Sequence, residues 1–540
     1  SFRGISAEEL GPVYVTGSVR GGLSGLMAPH GDGNGVSYLP DAPFVPGEMV
    51  RVEASGLPEA HEFGVARPVP WWEAMEARET AAPEDEPRVF RSRPDLLPPA
   101  INVTTPPAET APGYIFVGAK VTDGQNGALM LDNTGDVVWF GLPKVTTSMI
   151  YDFKVQHYRG EPVLTWMEGT TPSGFGAGHF VIANSAYERI AEFQVGNGFD
   201  GGDLHELMIT SRDTALVIVY SAIEWDLSPV GGPKHGTVTD AVIQEIEIDT
   251  GRVLFEWHSL DHIPVEESRI GFGGLDNGDR PFDYVHLNSI DEDSDGNLLI
   301  SGRHIFAVHK IDRATGEIIW RLNGSRSDFE MGEGTQFAWQ HDARMQEDGT
   351  LTLFDNAESN QDLDGTVASR GMVLDLDEEA MTATLVREYI HPTEILSTSQ
   401  ANMQVLPNGN VFIGWGSAPV FSEFTEDGEL IFNGRFPAAG TSYRAYRHEW
   451  IGQPAEPPAI ALERGEDDAV TVFASWNGAT EVASWRVRSG SSADDLSEIG
   501  SAARAGFETA IDGLVADSYI VVEALDAGGA VLGASDPVEA

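Results

Sequence analysis

The stretch "HLNSIDEDSDGNLLISGRHIFAVHKIDRATGEIIWRLNG" (residues 286–324) decides how this chain folds. It predicts four short β-strands: an opening segment, an apolar run after a D-G turn, an alternating segment, and a last segment that follows a T-G turn and ends at Trp320. Glycine and aspartate at those turns permit tight reversals between short strands. The stretch therefore predicts one small antiparallel sheet.

The same order of strands and turns recurs elsewhere in the chain. Residues 402–436 repeat it with N-G and D-G at the same two turns, and residues 205–257 repeat it with an inserted loop. Residues 339–356 open another copy, while residues 114–141 and 160–195 resemble two further copies. Six four-stranded units closed in a ring predict an all-β fold built on a six-bladed β-propeller, with seven blades as the alternative count.

Residues 1–110 are predicted to form a small N-terminal β module followed by a connector. Strand signals occur in "GPVYVTG" (residues 11–17) and "GEMVRVEAS" (residues 47–55). The acidic, proline-rich passage at residues 71–100 is typical of an extended connector.

The composition changes again after the predicted propeller, which spans residues 111–452. Residues 457–540 predict a C-terminal fibronectin III-like β-sandwich, with Trp476 and Trp485 able to point inward and Tyr519 near the tyrosine-corner position. Its expected role is either structural or attachment to a surface or polymer.

Composition excludes several classes of function. The formal charge of −51 at pH 7 disfavours nucleic acid and anionic membranes as partners. The chain has no cysteine, which rules out disulfides and thiolate ligands, and no run of eighteen apolar residues that could span a membrane. Because the sequence opens at Ser1 without an initiator Met, we expect a secreted or extracellular protein whose signal peptide has been removed.

Three histidines occupy matching positions in three successive units. In a propeller the first strand of each blade lines the central channel, and the entrance of that strand lies at one mouth of the channel. His205, His286 and His341 fall at this point, and Asn402 occupies it in the next unit. Side chains far apart in sequence are therefore predicted to meet around one axis.

Strand periodicity extends the predicted pocket. Because side chains alternate across a strand, Asn288 shares the face of His286. Arg303 ends the second strand, and if its guanidinium points to the axis, His304 is expected to point away. Together with Asn402, these residues predict a pocket of imidazoles, amides and one fixed cation that suits a compact anion.

Three histidines could instead hold a transition metal. The adjacent permanent charge of Arg303 would weaken metal binding, and no HExxH or similar short spacing supports a metal site. We therefore expect no metal and no cofactor, although the histidines alone leave that alternative open.

Two further motifs each allow a structural and a functional interpretation. "DEDSDGN" (residues 291–297) matches the start of a calcium loop, but Gly302 stands where the bidentate glutamate is needed, which favours a solvated turn. "GFGGLDNGDRPFDY" (residues 271–284) is either a lip over the pocket or a plain connector.

The motifs "DYVHLNSI", "LLISGRHIFAVHKID", "WQHDAR" and "MQVLPNGNVFIGWG" follow one another between residues 283 and 416. In order, spacing and unit position they resemble the bacterial PAPS-independent arylsulfate sulfotransferase family. The connector "FRSRPDLLPPAINV" (residues 90–103) is similar to the sequence before the propeller in shorter relatives. The resemblance covers about residues 90–450 and implies a six-bladed propeller that moves a sulfuryl group from an aryl sulfate to a phenol through a sulfohistidine.

The resemblance also implies roles for individual residues. His341 in "QHDAR" matches the nucleophile, while His286 and Asn288 in "HLNS", Arg303 in "SGRH" and His205 in "LHE" match the surrounding polar site. The chain departs from some relatives in lacking cysteines and in carrying the C-terminal sandwich. Donor, acceptor and self-association stay open.

Two other classes of function compete with this one. The first is a non-catalytic secreted propeller used for adhesion, binding or assembly, with the sandwich as its binding arm. The second is a quinoprotein dehydrogenase, suggested by the "TGEIIW" turn but disfavoured because adjacent cysteines and eight blades are missing.

Overall fold

The computed structural model describes residues 2–3, 5–29, 35–42, 44–45, 48–57, 60–65, 86–171, 174–273, 280–357, 368–437, 440–465 and 469–540. By contact density the chain divides into two units, residues 1–80 and 81–540. The part of the predicted connector at residues 71–85 and the centre of the glycine-rich loop at residues 274–279 lie outside the described residues. In the described part of the chain, every helix is too short or too polar to cross a membrane.

The first unit consists of two antiparallel sheets and one short helix. Its elements are β1 (Phe2–Arg3), α1 (Ala7–Leu10), β2 (Val13–Gly17), β3 (Gly21–Leu23), β4 (Gly25–Pro29), β5 (Gly35–Pro40), β6 (Met49–Ala54) and β7 (His61–Gly64). The strands pair in the orders β1-β5-β4 and β3-β2-β6-β7. Ser6 and Glu9 form a reciprocal capping box that satisfies the first backbone N–H groups of α1.

The second unit contains many more strands. The strands up to residue 258 are β8 (Asn102–Thr105), β9 (Tyr114–Ala119), β10 (Gly127–Leu131), β11 (Val137–Gly141), β12 (Met149–Tyr158), β13 (Glu161–Thr170), β14 (Ala177–Ala183), β15 (Arg189–Phe193), β16 (Leu207–Ile209), β17 (Thr214–Trp225), β18 (Gly236–Glu247) and β19 (Arg252–His258). The short helices that follow or interrupt them are the 3-10 turns Ser228–Val230 and Val265–Glu267 and the α-helix α2 (Ser259–His262). The next strands are β20 (Leu287–Glu292), β21 (Leu298–Gly302), β22 (Ala307–Ile311), β23 (Ile318–Asn323), β24 (Glu330–Met331), β25 (His341–Met345), β26 (Thr350–Asp355), β27 (Arg370–Asp377), β28 (Thr382–Ile390), β29 (Asn402–Val405), β30 (Val411–Gly414), β31 (Val420–Phe424), β32 (Leu430–Arg435) and β33 (Ala445–His448).

In the described part of residues 102–448 these strands form six consecutive sheets, antiparallel except where β24 pairs with β28. Their strand orders are β11-β10-β9-β33 (sheet 1), β12-β13-β14-β15 (sheet 2), β16-β17-β18-β19 (sheet 3), β20-β21-β22-β23 (sheet 4), β24-β28-β27-β26-β25 (sheet 5) and β29-β30-β31-β32-β8 (sheet 6). Each sheet packs on the next, and sheet 6 packs on sheet 1 through β30 and β33. The fold is therefore nearly all β, with six sheets that close on themselves.

The quoted stretch forms the four strands of sheet 4, as its turns predict. At the first turn Gly296 has φ +82°, and at the second Gly316 has φ +79°. These left-handed conformations carry little steric cost in glycine, which explains the D-G and T-G pairs. The turn acids Asp293 and Asp295 lie 2.7 and 2.9 Å from Nζ of Lys310, so they pair with a lysine in this structure.

Three strands were missing from the sequence interpretation. Residues 102–105, which the sequence placed in the connector, form the outer strand of sheet 6. The inner strand of sheet 1 comes from Ala445–His448, more than three hundred residues after its neighbour β9. The inner strand of sheet 2, Met149–Tyr158, precedes the segment read as that unit. The first and second of these strands pair with partners hundreds of residues away, which leaves no local pattern in the sequence, whereas the third forms a local hairpin with β13.

A separate apolar cluster fills the space between each pair of neighbouring sheets. Between sheets 3 and 4, for example, it includes the fully buried Ile218, Ile243, Leu287 and Ile300, with Trp257 beside them. Burying a side chain of this size stabilises the folded state by roughly 1.5–3 kcal/mol. The inner strands are thereby held in fixed positions around the ring.

Buried charges fill the space between the inner strands. Within the described residues the members are Lys154, Arg344, Arg444, Asp152, Glu206 and Asp342. The Arg444 guanidinium lies 3.0 Å from an Asp152 oxygen and 3.3 Å from a Glu206 oxygen. Pairing offsets the desolvation cost of such charges, so losing one partner would leave a costly unpaired ion. Burial raises the pKa of a further carboxyl, Asp291, to about 6, although Arg344 opposes the shift.

The C-terminal residues form two packed antiparallel sheets. Their strands are β34 (Ala459–Arg464), β35 (Val470–Ser475), β36 (Ser484–Ser492), β37 (Asp495–Ala503), β38 (Glu508–Leu514), β39 (Tyr519–Leu525), β40 (Val531–Ala534) and β41 (Val538–Glu539). Trp485 is fully buried in their shared core, whereas Trp476 is half-buried beside Gly533. The Tyr519 hydroxyl makes no hydrogen bond with the described residues, so the bond expected of a tyrosine corner is not seen.

These C-terminal sheets are docked against the outer edge of sheet 1. The Asn477 side chain accepts from the backbone N–H of Phe140 and donates to its carbonyl, both at 2.9 Å. Gly478 N–H donates to the Val138 carbonyl, also at 2.9 Å. The unpaired edge of β11 is thereby covered, which removes a surface prone to pairing with other chains.

Candidate active site

The three matched histidines lie where the inner strands of sheets 3, 4 and 5 begin. His205 stands two residues before β16, His286 one residue before β20, and His341 opens β25. His286 has φ +51°, and Asp342, directly after His341, has φ +57°. The strand register shifts at both places, so the backbone bulges and turns these side chains away from the regular ladder.

Two of the histidines are each held by a carboxylate. Nδ1 of His205 is hydrogen-bonded to Asp203, which also accepts the His205 backbone N–H at 2.8 Å. Nδ1 of His286 lies 2.5 Å from Asp283. The two ring centroids are 4.9 Å apart. Because a carboxylate accepts a hydrogen bond from Nδ1–H, Nε2 of each ring is left as the acceptor.

A fourth histidine, His304, belongs to the same cluster as Arg303, so the expectation that it points away from the axis was wrong. Its ring centroid is 4.6 Å from that of His286, and its Nε2 accepts from the Arg303 guanidinium at 2.9 Å. Residues 303–306 form a turn between β21 and β22, so strand alternation does not apply to them. His304 Nδ1 donates to the carbonyl of Asp283 at 2.6 Å.

Arg303 is fixed by the groups around it. Its guanidinium carbon lies 4.3 Å from the centre of the Trp339 ring, and one terminal nitrogen donates to the Thr398 carbonyl at 2.9 Å. The bond to His304 holds a second terminal nitrogen. A planar cation held on an aromatic face loses little further freedom when it binds an anion.

His341 is fully buried, and both of its ring nitrogens are engaged. Nδ1 lies 2.6 Å from Oδ1 of Asn356 and 3.0 Å from the Trp339 carbonyl, so Nδ1 carries the proton. The Asn356 orientation follows from its amide nitrogen, which donates to the carbonyls of Ser397 and Gln400 at 2.8 and 3.1 Å. Nε2 of His341 accepts the backbone N–H of Gln400 at 3.1 Å.

Burial favours the neutral form of the His286, His304 and His341 rings. Burial, followed by the Arg303 charge, holds the pKa of His341 well below its ordinary value. Burial likewise lowers the pKa of His304 strongly, and it lowers that of His286 despite the opposing effect of Asp283. Burial would raise the pKa of Asp283, but the His286 and His304 rings outweigh it and bring this pKa to about 2. The site therefore combines imidazoles, two carboxylates that hold them and one fixed cation.

The two predicted amides lie in different surroundings. Asn288 is fully buried and donates to the Gln340 carbonyl at 2.7 Å, while its Oδ1 has no hydrogen-bond partner in the described part of the chain. Asn402 accepts from the backbone N–H of Ala445 at 2.9 Å and donates to its carbonyl at 2.8 Å. The Asn402 amide is thus used to join sheet 6 to β33, and the structure does not bring it into the histidine cluster.

A cavity of about 380 Å³ opens beside the cluster. Its polar wall contains Asp283, His286, Arg303 and His304. Its apolar wall is formed by Phe175, Tyr220, Ile270, Pro281 and Phe282. Phe175 and Tyr220 stack at 4.9 Å. His341 does not line this cavity but is linked to it through Trp339, on whose ring Arg303 lies. A space of this size accepts one substituted aromatic ring with a small anionic group.

The buried charge network is joined directly to two of the histidines. Glu206 follows His205 and Asp342 follows His341, and both acids pair with Arg344 and Arg444. In each pair of residues the histidine faces the site and the acid faces the network. The network therefore anchors the strand starts that present the histidines.

Asp283, His286 and His304 place potential metal-binding atoms within 4.8 Å of one another. Both nitrogens of His304 are already hydrogen-bonded, one to a carbonyl and one to the Arg303 cation. A metal ion bound through either nitrogen would have to displace one of these bonds beside a fixed positive charge, which disfavours it. The absence of a metal remains a prediction.

Sequence reasoning missed several residues of the site. The omitted residues are Asp203, Asp283, Asn356 and Gln400, while His304 was considered but expected to point away. "DLH" and "DYVH" place an acid shortly before a histidine in both cases, which is a usable local signal. The carbonyl and amide contacts of Asn356 and Gln400 depend on tertiary structure and leave no such signal.

Comparison with known proteins identifies the family. The family model described as arylsulfotransferase (ASST) matches residues 154–437, more than half of the chain. The chain therefore belongs to the arylsulfotransferase family. No curated protein matches it.

Several solved structures are distantly similar. A protein of unknown function from Bacteroides caccae is 13% identical over 63% of this chain and 100% of that chain, with a TM-score of 0.36. A catalytically inactive virginiamycin B lyase variant from Staphylococcus aureus, solved with quinupristin, is 10% identical over 70% of this chain and 97% of its own, with a TM-score of 0.34. Similarity at this level assigns no activity to the present chain.

Proposed function

We propose that this protein is a PAPS-independent arylsulfate sulfotransferase that moves a sulfuryl group from an aryl sulfate to a phenol through a sulfohistidine at His341. The family match supports sulfuryl transfer as the chemistry. The observation that favours this site above all is the convergence of His286, His304 and Arg303 on an aromatic-walled cavity. The His205 ring contacts that of His286, and His341 is joined to the cavity wall through Trp339 and Arg303.

We also propose a domain organisation for the chain. Residues 111–452 are assigned to a six-bladed β-propeller, to which β8 (Asn102–Thr105) adds the outer strand of sheet 6, supported by the closed series of six sheets with β33 completing sheet 1. The rest of residues 1–110 is assigned to the N-terminal module and connector, and residues 457–540 to a fibronectin III-like sandwich. Secretion, self-association and surface attachment through the sandwich stay predictions.

The first half-reaction forms a bond between nitrogen and sulfur. Nε2 of His341 attacks the sulfur of the aryl sulfate while the bond from sulfur to the aryl oxygen breaks, and the phenolate leaves. In such transfers the moving group is loosely bound and its oxygens hold the charge, so a fixed cation such as Arg303 stabilises the transition state. The covalent intermediate divides one difficult transfer into two easier steps.

The second half-reaction reverses these events with a new phenol. The ring of His205 or His286, oriented by Asp203 or Asp283, takes the proton of the acceptor phenol. The phenol oxygen then attacks sulfur, the nitrogen–sulfur bond breaks, and His341 is restored. The ring protonated in this step supplies the proton for the next leaving phenolate. Positioned acid–base groups of this type contribute a factor of about 100 to 10,000.

Attack by His341 requires one local rearrangement. Its Nε2 lone pair is bonded to the Gln400 N–H at 3.1 Å, and this bond must open before nitrogen can reach sulfur. Gln400 and the following Ala401 have φ values of +67° and +94°, conformations that non-glycine residues rarely adopt. Backbone strain of order 1–3 kcal/mol per residue lowers the cost of moving this segment.

Transfer to phenol is the direct test of the proposed function. Incubation with p-nitrophenyl sulfate and phenol is expected to release nitrophenolate and yield phenyl sulfate in equal amounts. Initial rates at varied donor and acceptor concentrations should give the parallel double-reciprocal lines of a ping-pong reaction. The absence of phenyl sulfate under all conditions would exclude the function, and intersecting lines would exclude the covalent intermediate.

The lowered pKa of His341 predicts activity in mildly acidic solution. As the pH falls, half of a free imidazole becomes protonated at about pH 6.5. Because burial and Arg303 lower the pKa of His341, its neutral form persists below that pH. The acid limb of kcat/KM for p-nitrophenyl sulfate should therefore lie at a lower pH than the pKa of free imidazole. Stopped initial rates measure the profile, and returning samples to neutral pH controls for denaturation. A midpoint at or above about 6.5 would contradict the expectation.

A further inference from the structure

The cavity beside the histidine cluster contains a second cation that the transfer reaction does not use. Arg280 lines the same cavity as Arg303, and its side chain is exposed to solvent. In the described part of the chain, Arg280 makes no hydrogen bond and no ion pair. Acidic residues outnumber basic ones by 84 to 33 in this chain, so an arginine without a carboxylate partner is unusual here.

A buried hydroxyl in the same wall also lacks a partner. Thr239, in β18, is 2% exposed, and its Oγ1 makes no hydrogen bond with any described residue. Its backbone N–H is bonded to the Phe282 carbonyl at 2.9 Å, which fixes the side chain against the cavity. A buried polar atom without a partner carries a desolvation cost that a bound ligand can remove.

The rest of the cavity suits an aromatic ring. Phe175 and Tyr220 stack with an interplanar angle of 25°, and Phe282 lies beside them. The Tyr220 hydroxyl is already donated to the Leu287 carbonyl, so the ring presents its face rather than a polar group. Arg303 is the cation next to His286 and is assigned to the sulfuryl group. Arg280 and Thr239 are then available for a different polar group on the same substrate.

We propose that this enzyme selects phenols and aryl sulfates that bear a carboxylate on a side chain of the aromatic ring. The guanidinium of Arg280 binds the carboxylate, and the Thr239 hydroxyl donates to it or to a neighbouring oxygen. A planar guanidinium matches a carboxylate through two parallel hydrogen bonds, which distinguishes it from a neutral amide of the same size. This inference rests on the proposed function.

The test compares two acceptors that differ only in charge. 3-(4-Hydroxyphenyl)propanoate and its primary amide have the same phenol, and p-nitrophenyl sulfate is the donor for both. The wild-type protein should favour the acid by about tenfold in kcat/KM, the ratio expected for one charge-assisted pair that is partly screened by solvent. Arg280→Gln should reduce this ratio to about one, and Arg280→Lys should leave an intermediate ratio because the charge stays without the planar fork.

A control variant and a binding measurement distinguish failure of this inference from failure of the proposed function. Arg252→Gln removes another exposed charge, from β19 in the sheet that contains Thr239, and should leave the acid-to-amide ratio unchanged. Calorimetric titration of the acid and the amide measures the same preference without any turnover. If neither acceptor is sulfated, the proposed function fails, and titration alone then decides whether Arg280 selects the carboxylate. Equal use and equal binding of acid and amide, or an unchanged ratio in Arg280→Gln, would overturn the inference.

Discussion

Replacing His341 by alanine is expected to lower aryl sulfate turnover by at least about 10,000-fold, because the variant has no nitrogen to form the covalent intermediate. The neighbouring His286 and His205 rings remain, but their Nδ1 atoms are held by Asp283 and Asp203 in an arrangement suited to proton transfer. Nitrophenolate release at saturating p-nitrophenyl sulfate measures the loss.

A second buried histidine provides the matched control for that loss. His391 is 6% exposed and bonds to Thr393 and Asn433, and it is not a lining residue of the cavity. His391→Ala removes a ring of the same size and burial and should keep most of the activity. Thermal unfolding of both variants checks that they fold. More than about a tenth of wild-type activity in folded His341→Ala would exclude His341 as the nucleophile.

Replacing Arg303 by methionine is expected to slow transfer by about 100- to 1,000-fold, the effect of removing one well-placed donor worth roughly 3–4 kcal/mol. The expectation follows from how rigidly Arg303 is held, on the Trp339 ring at 4.3 Å and against His304 at 2.9 Å. Methionine keeps much of the stem and its packing, so the loss reports the missing charge. Arg303→Lys should be intermediate, because it restores charge without the planar stack.

The pH profile of Arg303→Met gives a second, independent readout. The Arg303 charge helps to lower the pKa of His341, so its removal should move the acid limb of kcat/KM to higher pH. Arg269→Met is the control, since Arg269 lies 5.9 Å from the Phe306 ring and does not line the cavity. A rate loss below tenfold, or an acid limb that does not move, would contradict the role given to Arg303.

Local sequence patterns predicted those strands whose turns are determined by neighbouring residues in the chain. The D-G and T-G turns of residues 286–324 predict the four strands of sheet 4, because the turn geometry depends on the glycine in each pair. The closing strands Asn102–Thr105 and Ala445–His448 could not be found in this way. Their partners lie hundreds of residues away, and β-strand pairing at that distance depends on the completed ring.

The sequence likewise predicted some residues of the candidate site correctly and misplaced others. Matching positions at the strand starts indicate His205 and His286, which the structure brings within 4.9 Å of each other. The same rule placed Asn402 in the pocket, but its amide is bound to the backbone of Ala445. His304 was misplaced because a turn follows Gly302 and strand alternation stops there. The position of a residue in a repeat therefore predicts where its backbone lies. The contacts of its side chain depend on neighbouring sheets.

The central claim is that His341 carries the sulfuryl group between donor and acceptor. The most direct measurement is the intact mass of the protein after brief exposure to p-nitrophenyl sulfate without an acceptor. The wild-type protein and His391→Ala should each gain about 80 Da, the mass of one SO3 group held covalently. The gain should disappear when phenol is added, and His341→Ala should show none. The same mass gain in folded His341→Ala, or no gain in a wild-type protein that transfers sulfate, would contradict the claim.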